Sequence, residues 1–434
     1  MNILIMTNTY KPLLGGLERS IESFTAEYRK RGHRVVIVVP EYPESQTEED
    51  VVRIPAVANF SGTNFSLQLP IPGVLDEALG NFRPDIVHSQ HPFLVGDTAL
   101  RLASKYNVPL VFTHHTLYEE NVHYMPGNEE ALKRFVIELS TGYANLADTV
   151  FAPSESIMKL IQDRGVKTPV HVVPTGIYQK NFTRGAGKAL RKKLQIPSDA
   201  WVMGYIGRLA PEKNLEFLTR AVARFMKQHP ETYFLVGGTG PSEEVIIDIF
   251  TQEGLMDRLC LVGSLKGKDL ADAYHALNVF VFASQSETQG LVLDEAMAAS
   301  VPVVAVDAPG VREVVEDHVN GCLLAHESID EFTTGLEWVK KLTPFKLSKV
   351  KKACRETSLR FSMDTSATRA LEIYASLCIQ GFARKPIEHS YWESKMRLMQ
   401  AQWNIIKNLT KAAGAMFGLI EGSEAQLERF GSIR

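Results

Sequence analysis

The stretch Ala283–Ala305, ASQSETQGLVLDEAMAASVPVVA, decides the fold. The apolar runs VFVFAS (279–284) and VPVVAV (301–306) flank a helical pattern, LVLDEAMAA, after a short polar loop. Short continuous apolar runs of this kind are buried strands, and strand–loop–helix–strand is the unit of a parallel sheet. Two carboxylates, Glu287 and Glu295, stand with seven residues between them, and Gln289-Gly290-Leu291 lies where the helix begins. A helix starting at the carboxyl end of a strand offers unpaired N–H groups and a positive dipole end to an anion. Glycine there lets ligand oxygens come close to the main chain. Eight residues of helix advance about 12 Å, enough for the two acids to hold opposite ends of one elongated ligand. A sugar hydroxyl, a diphosphate and a ribose in line fit that span.

Working outward, two series of such units appear. The first comprises NILIMTN (2–8), RVVIVVP (34–40), DIVHSQ (85–90), LVFTHH (110–115), TVFAPS (149–154) and VHVVPTG (170–176). Helical patterns at 17–31, 97–106, 129–147 and 154–164 separate them. The second series runs WVMGYIGRL (201–209), TYFLVGG (232–238), RLCLVGS (258–264), VFVFAS, VPVVAV and GCLLA (321–325). Its helices fall at 215–228, 243–253, 268–277 and 291–299. Alternation of this kind predicts two α/β domains, each with a parallel sheet covered on both faces. The expected layout is a first domain over 1–185, a second over 195–365, a helix over 366–380 returning to the first, and a helical extension over 381–434. The Gly- and Lys/Arg-rich stretch 182–199 is expected to connect the domains. A chain of 434 residues is long enough for two cores.

Composition narrows the class. Apolar residues make up 45%, charged residues 22%, and the net charge is −3, which argues against nucleic-acid binding. Four scattered cysteines without CxxC spacing point to a reducing, cytoplasmic setting. MNILIMTNTYKP reads as a first strand, and no apolar run reaches the ~20 residues of a spanning helix, so membrane contact is expected to be peripheral.

Four further motifs bear on chemistry. Gly207-Arg208-Leu209-Ala210-Pro211-Glu212-Lys213-Asn214 follows a strand and sets a guanidinium and an ammonium beyond its end. Together they could stabilise a departing diphosphate without a metal. Thr9–Glu18 links strand to helix through Gly15-Gly16, which serves either a phosphate or the turn itself. Gly237-Gly238-Thr239-Gly240-Pro241 lacks the third glycine and the acidic partner of a dinucleotide fingerprint, so a nucleotide-lining loop is its better use. His88, His91, His114, His115 and His123 crowd one region, but without HExxH or a cysteine partner no metal is expected.

In this order the elements resemble the retaining glycosyltransferases of family 4, over roughly 1–377. The resemblance implies a GT-B fold of two facing Rossmann-like domains with an interdomain cleft, and a metal-independent hexosyltransferase. Carried over, Arg208 and Lys213 bind the donor diphosphate, Glu287 meets the sugar hydroxyls, Gln289-Gly290-Leu291 supply main-chain donors and Glu295 holds the ribose. Val262 and Gly263 meet the uracil edge, Gly238 lines the nucleotide, Gly16 lies near the phosphates and His115 near the sugar. Within the family, THHTLYEENVHYMP (113–126) resembles the diacylglycerol glucosyltransferases, which implies UDP-glucose as donor, a lipid acceptor, and Tyr118, His123 and Tyr124 on the acceptor side. A soluble or polysaccharide acceptor, and epimerisation of a UDP-sugar on the same fold, remain alternatives.

Beyond the family pattern, residues 384–411 carry six basic and two acidic side chains. Trp392, Met396, Met399, Trp403, Ile406 and Leu409 recur at helical steps. Such a helix suits an anionic membrane surface, packing on the first domain, or a second subunit.

Overall fold

The computed structural model describes residues 1–11, 15–41, 47–57, 67–68, 74–124, 128–284, 287–380 and 391–416. The chain forms two compact units, Met1–Pro174 with Ser366–Arg434, and Thr175–Thr365. The stretch 182–199 therefore belongs to the second unit and does not connect the two. Its helix packs on a neighbouring one through Gly187, where a Cβ would lie 2.2 Å from the His275 main chain.

In the first unit the order is β1 (Asn2–Met6), α1 (Gly16–Lys30), β2 (Arg34–Pro40), β3 (Val51–Ile54), β4 (Ala56–Val57), β5 (Leu67–Gln68) and α2 (Val74–Leu79). There follow β6 (Ile86–Ser89), α3 (Val95–Tyr106), β7 (Leu110–Thr113), α4 (Glu129–Ala144), β8 (Thr149–Ala152), α5 (Glu155–Asp163) and β9 (Val170–Val172). Seven strands make a parallel sheet in the order β3-β2-β1-β6-β7-β8-β9, with β4 and β5 a separate antiparallel pair.

The second unit contains α6 (Gly187–Lys193), β10 (Trp201–Ile206), α7 (Leu215–Gln228), β11 (Thr232–Gly237), α8 (Glu243–Gln252), β12 (Leu259–Gly263) and α9 (Gly267–His275). It continues with β13 (Val279–Phe282), α10 (Leu291–Ala298), β14 (Val303–Val306), β15 (Gly321–Leu324), α11 (Ile329–Lys340) and α12 (Pro344–Arg360). The last two helices are α13 (Met363–Gln380), most of which belongs to the first unit, and α14 (Tyr391–Met416), which lies wholly in it. Six parallel strands run β12-β11-β10-β13-β14-β15.

Burial explains the strands. Val279, Phe280, Val281 and Phe282 are at most 1% exposed, as in a sheet covered on both faces. Each such side chain contributes about 1.5–3 kcal/mol by leaving water. α7 is amphipathic: Leu218, Val222 and Phe225 are buried at helical spacing, while Glu216 and Arg220 stay outside. α13 is locked into the first unit by Tyr374, whose ring stacks on Phe151 and whose hydroxyl is hydrogen-bonded to His88 Nδ1 at 2.5 Å.

In both sheets the strand order reverses beside the first strand, between β1 and β6 and between β10 and β13. Loops leaving the carboxyl ends of such neighbours diverge and open a crevice, which is where ligands bind in open α/β sheets.

Candidate active site

In the second unit, Met203 of β10 pairs with Val279 of β13 and Gly204 with Phe280. The loops leaving these two strands carry Arg208–Asn214 and Ala283–Gly290. Two bonds tie them together. Ser284 Oγ donates to the Glu212 carbonyl at 3.2 Å, and Lys213 Nζ lies 3.0 Å from Glu287 Oε2. Both members of the Lys213–Glu287 pair keep 18% of their side-chain surface exposed. The charges are thus half-sheltered yet open to exchange with a ligand.

Glu287 uses its second oxygen as well, since Oε1 accepts the Gly290 N–H at 3.2 Å. One carboxylate therefore neutralises both the ammonium and the opening turn of α10, two groups that attract anions. Gly290 has φ +80°, a left-handed conformation that glycine adopts without strain, and it sets the entry into α10. The N–H groups of Leu291 and Val292 follow in the first turn, where a helix supplies no partner of its own.

Gln289 is 6% exposed, and its side chain clamps a main-chain peptide. Oε1 accepts from Thr175 N at 2.7 Å and Nε2 donates to Thr175 O at 2.5 Å. Thr175 is the first residue of the second unit, so the loop is anchored where the chain enters it. Glu295 lies 5% exposed on α10, with Oε2 accepting from the Tyr274 hydroxyl at 2.8 Å. Beside it, burial first and Glu295 second hold the Asp294 carboxyl well above its ordinary range.

Arg208 is 63% exposed at its side chain and pairs with Glu212 at 2.5 Å. Under this turn, Tyr205 donates its hydroxyl to the Arg208 carbonyl at 3.0 Å. Burial and then the neighbouring Glu287 and Glu212 charges push that phenol upward, so it stays neutral. Gly238 has φ +134°, and a Cβ there would lie 1.8 Å from the Gly207 carbonyl oxygen. Only glycine lets the β11 loop approach the β10 loop so closely. Gly238 N donates to Gly263 O at 2.7 Å, which sets Val262 and Gly263 at the end of β12 beside the same edge.

The first unit holds the remaining predicted residues. Gly16 opens α1, and Pro12–Leu14 of its loop lie outside the described residues. His115 Nε2 is 2.6 Å from Gln90 Oε1, and burial lowers its pKa to about 4. His88, His91 and His114 are buried, and desolvation lowers each to about 3. His91 Nδ1 accepts from Asn8 N, and His88 is bonded to Thr113 and Tyr374. Neutral imidazoles locked into such bonds are framework. The Tyr118 ring packs edge-on against Phe93 and His114. Its hydroxyl is buried, and burial raises its pKa. The side chains of His123 and Tyr124 lie outside the described residues. Among the described residues, the set whose donor atoms come close enough for a metal is Asp317 and His318, just ahead of β15, with Cys322 within it, and none of the three is a residue named above.

The loops at the carboxyl ends of β10 and β13 thus bring together Arg208, Lys213, Glu287, Gln289 and Gly290. Three supporting residues were not foreseen: Tyr274 beneath Glu295, Thr175 under Gln289, and Ser284 between the loops. Tyr274 sits in LADAYHAL, which reads as an ordinary core helix. Nothing local in the sequence marks its hydroxyl as a partner.

Comparisons with known proteins bear on family and fold. Residues 14–179 match the Glycosyltransferase Family 4 model, and 187–357 match Glycosyl transferases group 1. The chain is 30% identical over 337 residues to an alpha-monoglucosyldiacylglycerol synthase of Streptococcus pneumoniae, covering 74% of this chain and 75% of that protein. It is 28% identical over 333 residues to a GDP-mannose-dependent alpha-mannosyltransferase of Mycobacterium tuberculosis, covering 75% and 84%. Among solved structures, Anabaena HepE in complex with UDP superposes with a TM-score of 0.68 at 21% identity, over 87% of this chain and all of that one. Sucrose-phosphate synthase of Thermosynechococcus elongatus gives 0.70 at 20% identity, over 87% and 99%. At such identities the structures establish the GT-B fold, and the sequence relatives establish the family. The chain belongs to glycosyltransferase family 4 and is a nucleotide-sugar-dependent hexosyltransferase.

Proposed function

We propose that this enzyme transfers glucose from UDP-glucose to the free hydroxyl of a diacylglycerol, with retention of configuration and without a metal, as a peripheral protein on the cytoplasmic face of a membrane. The observation that carries the reading is the Lys213–Glu287 pair beside Arg208 and the start of α10. A diphosphate entering there would share the Lys213 ammonium with Glu287 and meet the Arg208 guanidinium and the α10 N–H groups. Two cations and a helix start can stabilise the charge of a departing diphosphate in place of a metal ion. Support for glucose and a lipid comes from the pneumococcal relative, whose name states that activity. The mannosyltransferase relatives make GDP-mannose the competing donor.

In this scheme the acceptor hydroxyl attacks the anomeric carbon on the face the diphosphate leaves. The bond from that carbon to the phosphate oxygen breaks, its electron pair stays on the phosphate, and that oxygen takes the hydroxyl proton. The enzyme contributes positioning and charge stabilisation. Glu287 holds the sugar hydroxyls and Glu295, oriented by Tyr274, the ribose. Val262, Gly263 and Gly238 serve the base and nucleotide. Gly16 is assigned to the phosphates, His115 to the transferred sugar, and Tyr118, His123 and Tyr124 to the acceptor.

The test is a donor and acceptor screen on the purified protein. Radiolabelled UDP-glucose, UDP-galactose and GDP-mannose are offered with diacylglycerol or with soluble glycans, with and without EDTA. Label from UDP-glucose should enter the organic phase as an α-glucoside, undiminished by EDTA. Label confined to the aqueous phase would indicate a soluble acceptor, and altered UDP-sugar formed from donor alone would indicate epimerisation. Either result removes the lipid reading.

A further inference from the structure

Helix α14 docks on the first unit through three alanines and Ile405 and leaves four large apolar side chains outside. Ala401, Ile405, Ala412 and Ala415 are buried on the side that meets α3 and α4. The Asn408 side chain fills the space that Gly142 of α4 leaves open, where a Cβ would lie 1.7 Å from Asn408 Oδ1. Polar bonds fix the register: Arg397 Nε to Ser104 O at 2.9 Å, Arg101 Nε to Gln402 Oε1 at 3.0 Å, and Asn408 Nδ2 to Leu139 O at 3.1 Å. Lys411 pairs with Glu138.

On the other side Met399, Trp403, Ile406 and Leu409 are 67, 64, 46 and 42% exposed. Met399, Trp403 and Ile406 fall within about 60° of one another around the helix, roughly opposite the buried row. Large apolar side chains gain the most from leaving water, so a helix serving only as cover would be turned the other way. Within 391–416 the sequence holds Lys395, Arg397, Lys407 and Lys411 against Glu393, four positive and one negative, a net of +3. Arg397 and Lys411 are engaged by Ser104 and Glu138 of the first unit, which leaves Lys395 and Lys407 against Glu393, a net of +1. An anionic lipid surface complements them, and a tryptophan suits the boundary between headgroups and acyl chains. At its far end α14 reaches the acceptor-side segment, with Met416 packed on the cluster of Val122, Leu132 and Val136 that Tyr118 also joins. HepE is covered along its whole length by 87% of this chain, so the chain carries length that this fold does not require.

We propose that the outer face of α14 is a bilayer-docking surface, laid in the headgroup layer of an anionic membrane with Trp403 as anchor and Met399, Ile406 and Leu409 beside it. It rests on the lipid-acceptor reading for its purpose, but its measurement does not.

The experiment compares the full chain with its Trp403→Glu/Ile406→Glu variant on vesicles of phosphatidylcholine, with and without phosphatidylglycerol. Wild type should partition onto the mixed vesicles, and the double variant at least about tenfold less, while circular dichroism and UDP-glucose binding stay unchanged. Transfer to vesicle diacylglycerol should fall in parallel, and transfer to a water-soluble short-chain diacylglycerol should not. Brominated lipid should quench tryptophan fluorescence in wild type and much less in Trp403→Phe. Equal partitioning of wild type and double variant overturns the proposal, as does a dimer that the variant converts to monomer. If neither UDP-glucose nor any other sugar nucleotide is turned over while vesicle binding still depends on Trp403 and Ile406, the function fails and the docking surface stands.

Discussion

The strand-end loops of the two units handle polarity in opposite ways. In the second unit the groups are charged, partly open and bonded to each other, as Lys213 is to Glu287. In the first they are imidazoles sealed from water, with His88, His91 and His114 held neutral far below their ordinary range. The Lys213–Glu287 pair is largely sheltered but keeps an open edge, and a phosphate taking the place of the carboxylate would leave the ammonium paired with an anion. A buried neutral imidazole cannot take up charge without a large desolvation penalty. On the proposed function, electrostatic stabilisation would fall to the second unit, while the histidines of the first are buried among its strand ends.

Three experiments can break or sharpen this contrast. The largest effect is expected from Lys213→Ala and Glu287→Ala, each lowering transfer by at least ~100-fold, the scale of one charge-stabilising donor. Near wild-type turnover in both would show that the charges of the second unit are not the catalytic ones.

Next comes acid. The unfolded imidazoles titrate near 6.5, whereas His88, His91 and His114 have pKa values near 3 and His115 near 4 in the fold. Between those values the unfolded chain binds more protons, so their contribution is complete above about pH 6.5 and is lost as pH falls toward 4. Each loses up to about 2 kcal/mol by pH 5. Asp97 works the other way, because burial lifts its carboxyl to about 6 and its contribution is lost as pH rises through that value. Burial raises the Asp148 and Asp294 carboxyls in the same sense, but four imidazoles outweigh three carboxyls, so urea unfolding at pH 7.5, 6 and 5 should show falling stability, with a shallower slope in His114→Gln. A flat profile would mean that these imidazoles are not sealed.

The smallest effect on turnover is expected at Gln289→Ala. It strips both hydrogen bonds from the buried Thr175 peptide, which costs about 1–3 kcal/mol of stability. Loosening the Glu287–Gly290 loop should lower kcat/KM about tenfold, with most of the change in KM for the donor. Unchanged stability and KM would show that the clamp is dispensable.

The sequence by itself determined the parallel-sheet architecture, because strands buried on both faces must be runs such as VFVF and VPVVAV, which no solvent-facing segment tolerates. It also determined which residues stand in the loops beyond strand ends: Arg208 and Lys213 after the WVMGYI run, Glu287 and Gln289 after VFVF. The helix over 291–299 was legible to within one residue, since its pattern is local. Tertiary structure alone decided who partners whom. Thr175 and Gln289 are 114 residues apart, and nothing local links them. The five crowded histidines looked alike in sequence, and only packing sealed three of them from water. For α14 the periodicity showed an amphipathic helix but not which side would be covered. That choice depended on partners far away in the chain, such as Ser104, Arg101 and Leu139, which bond Arg397, Gln402 and Asn408 of α14.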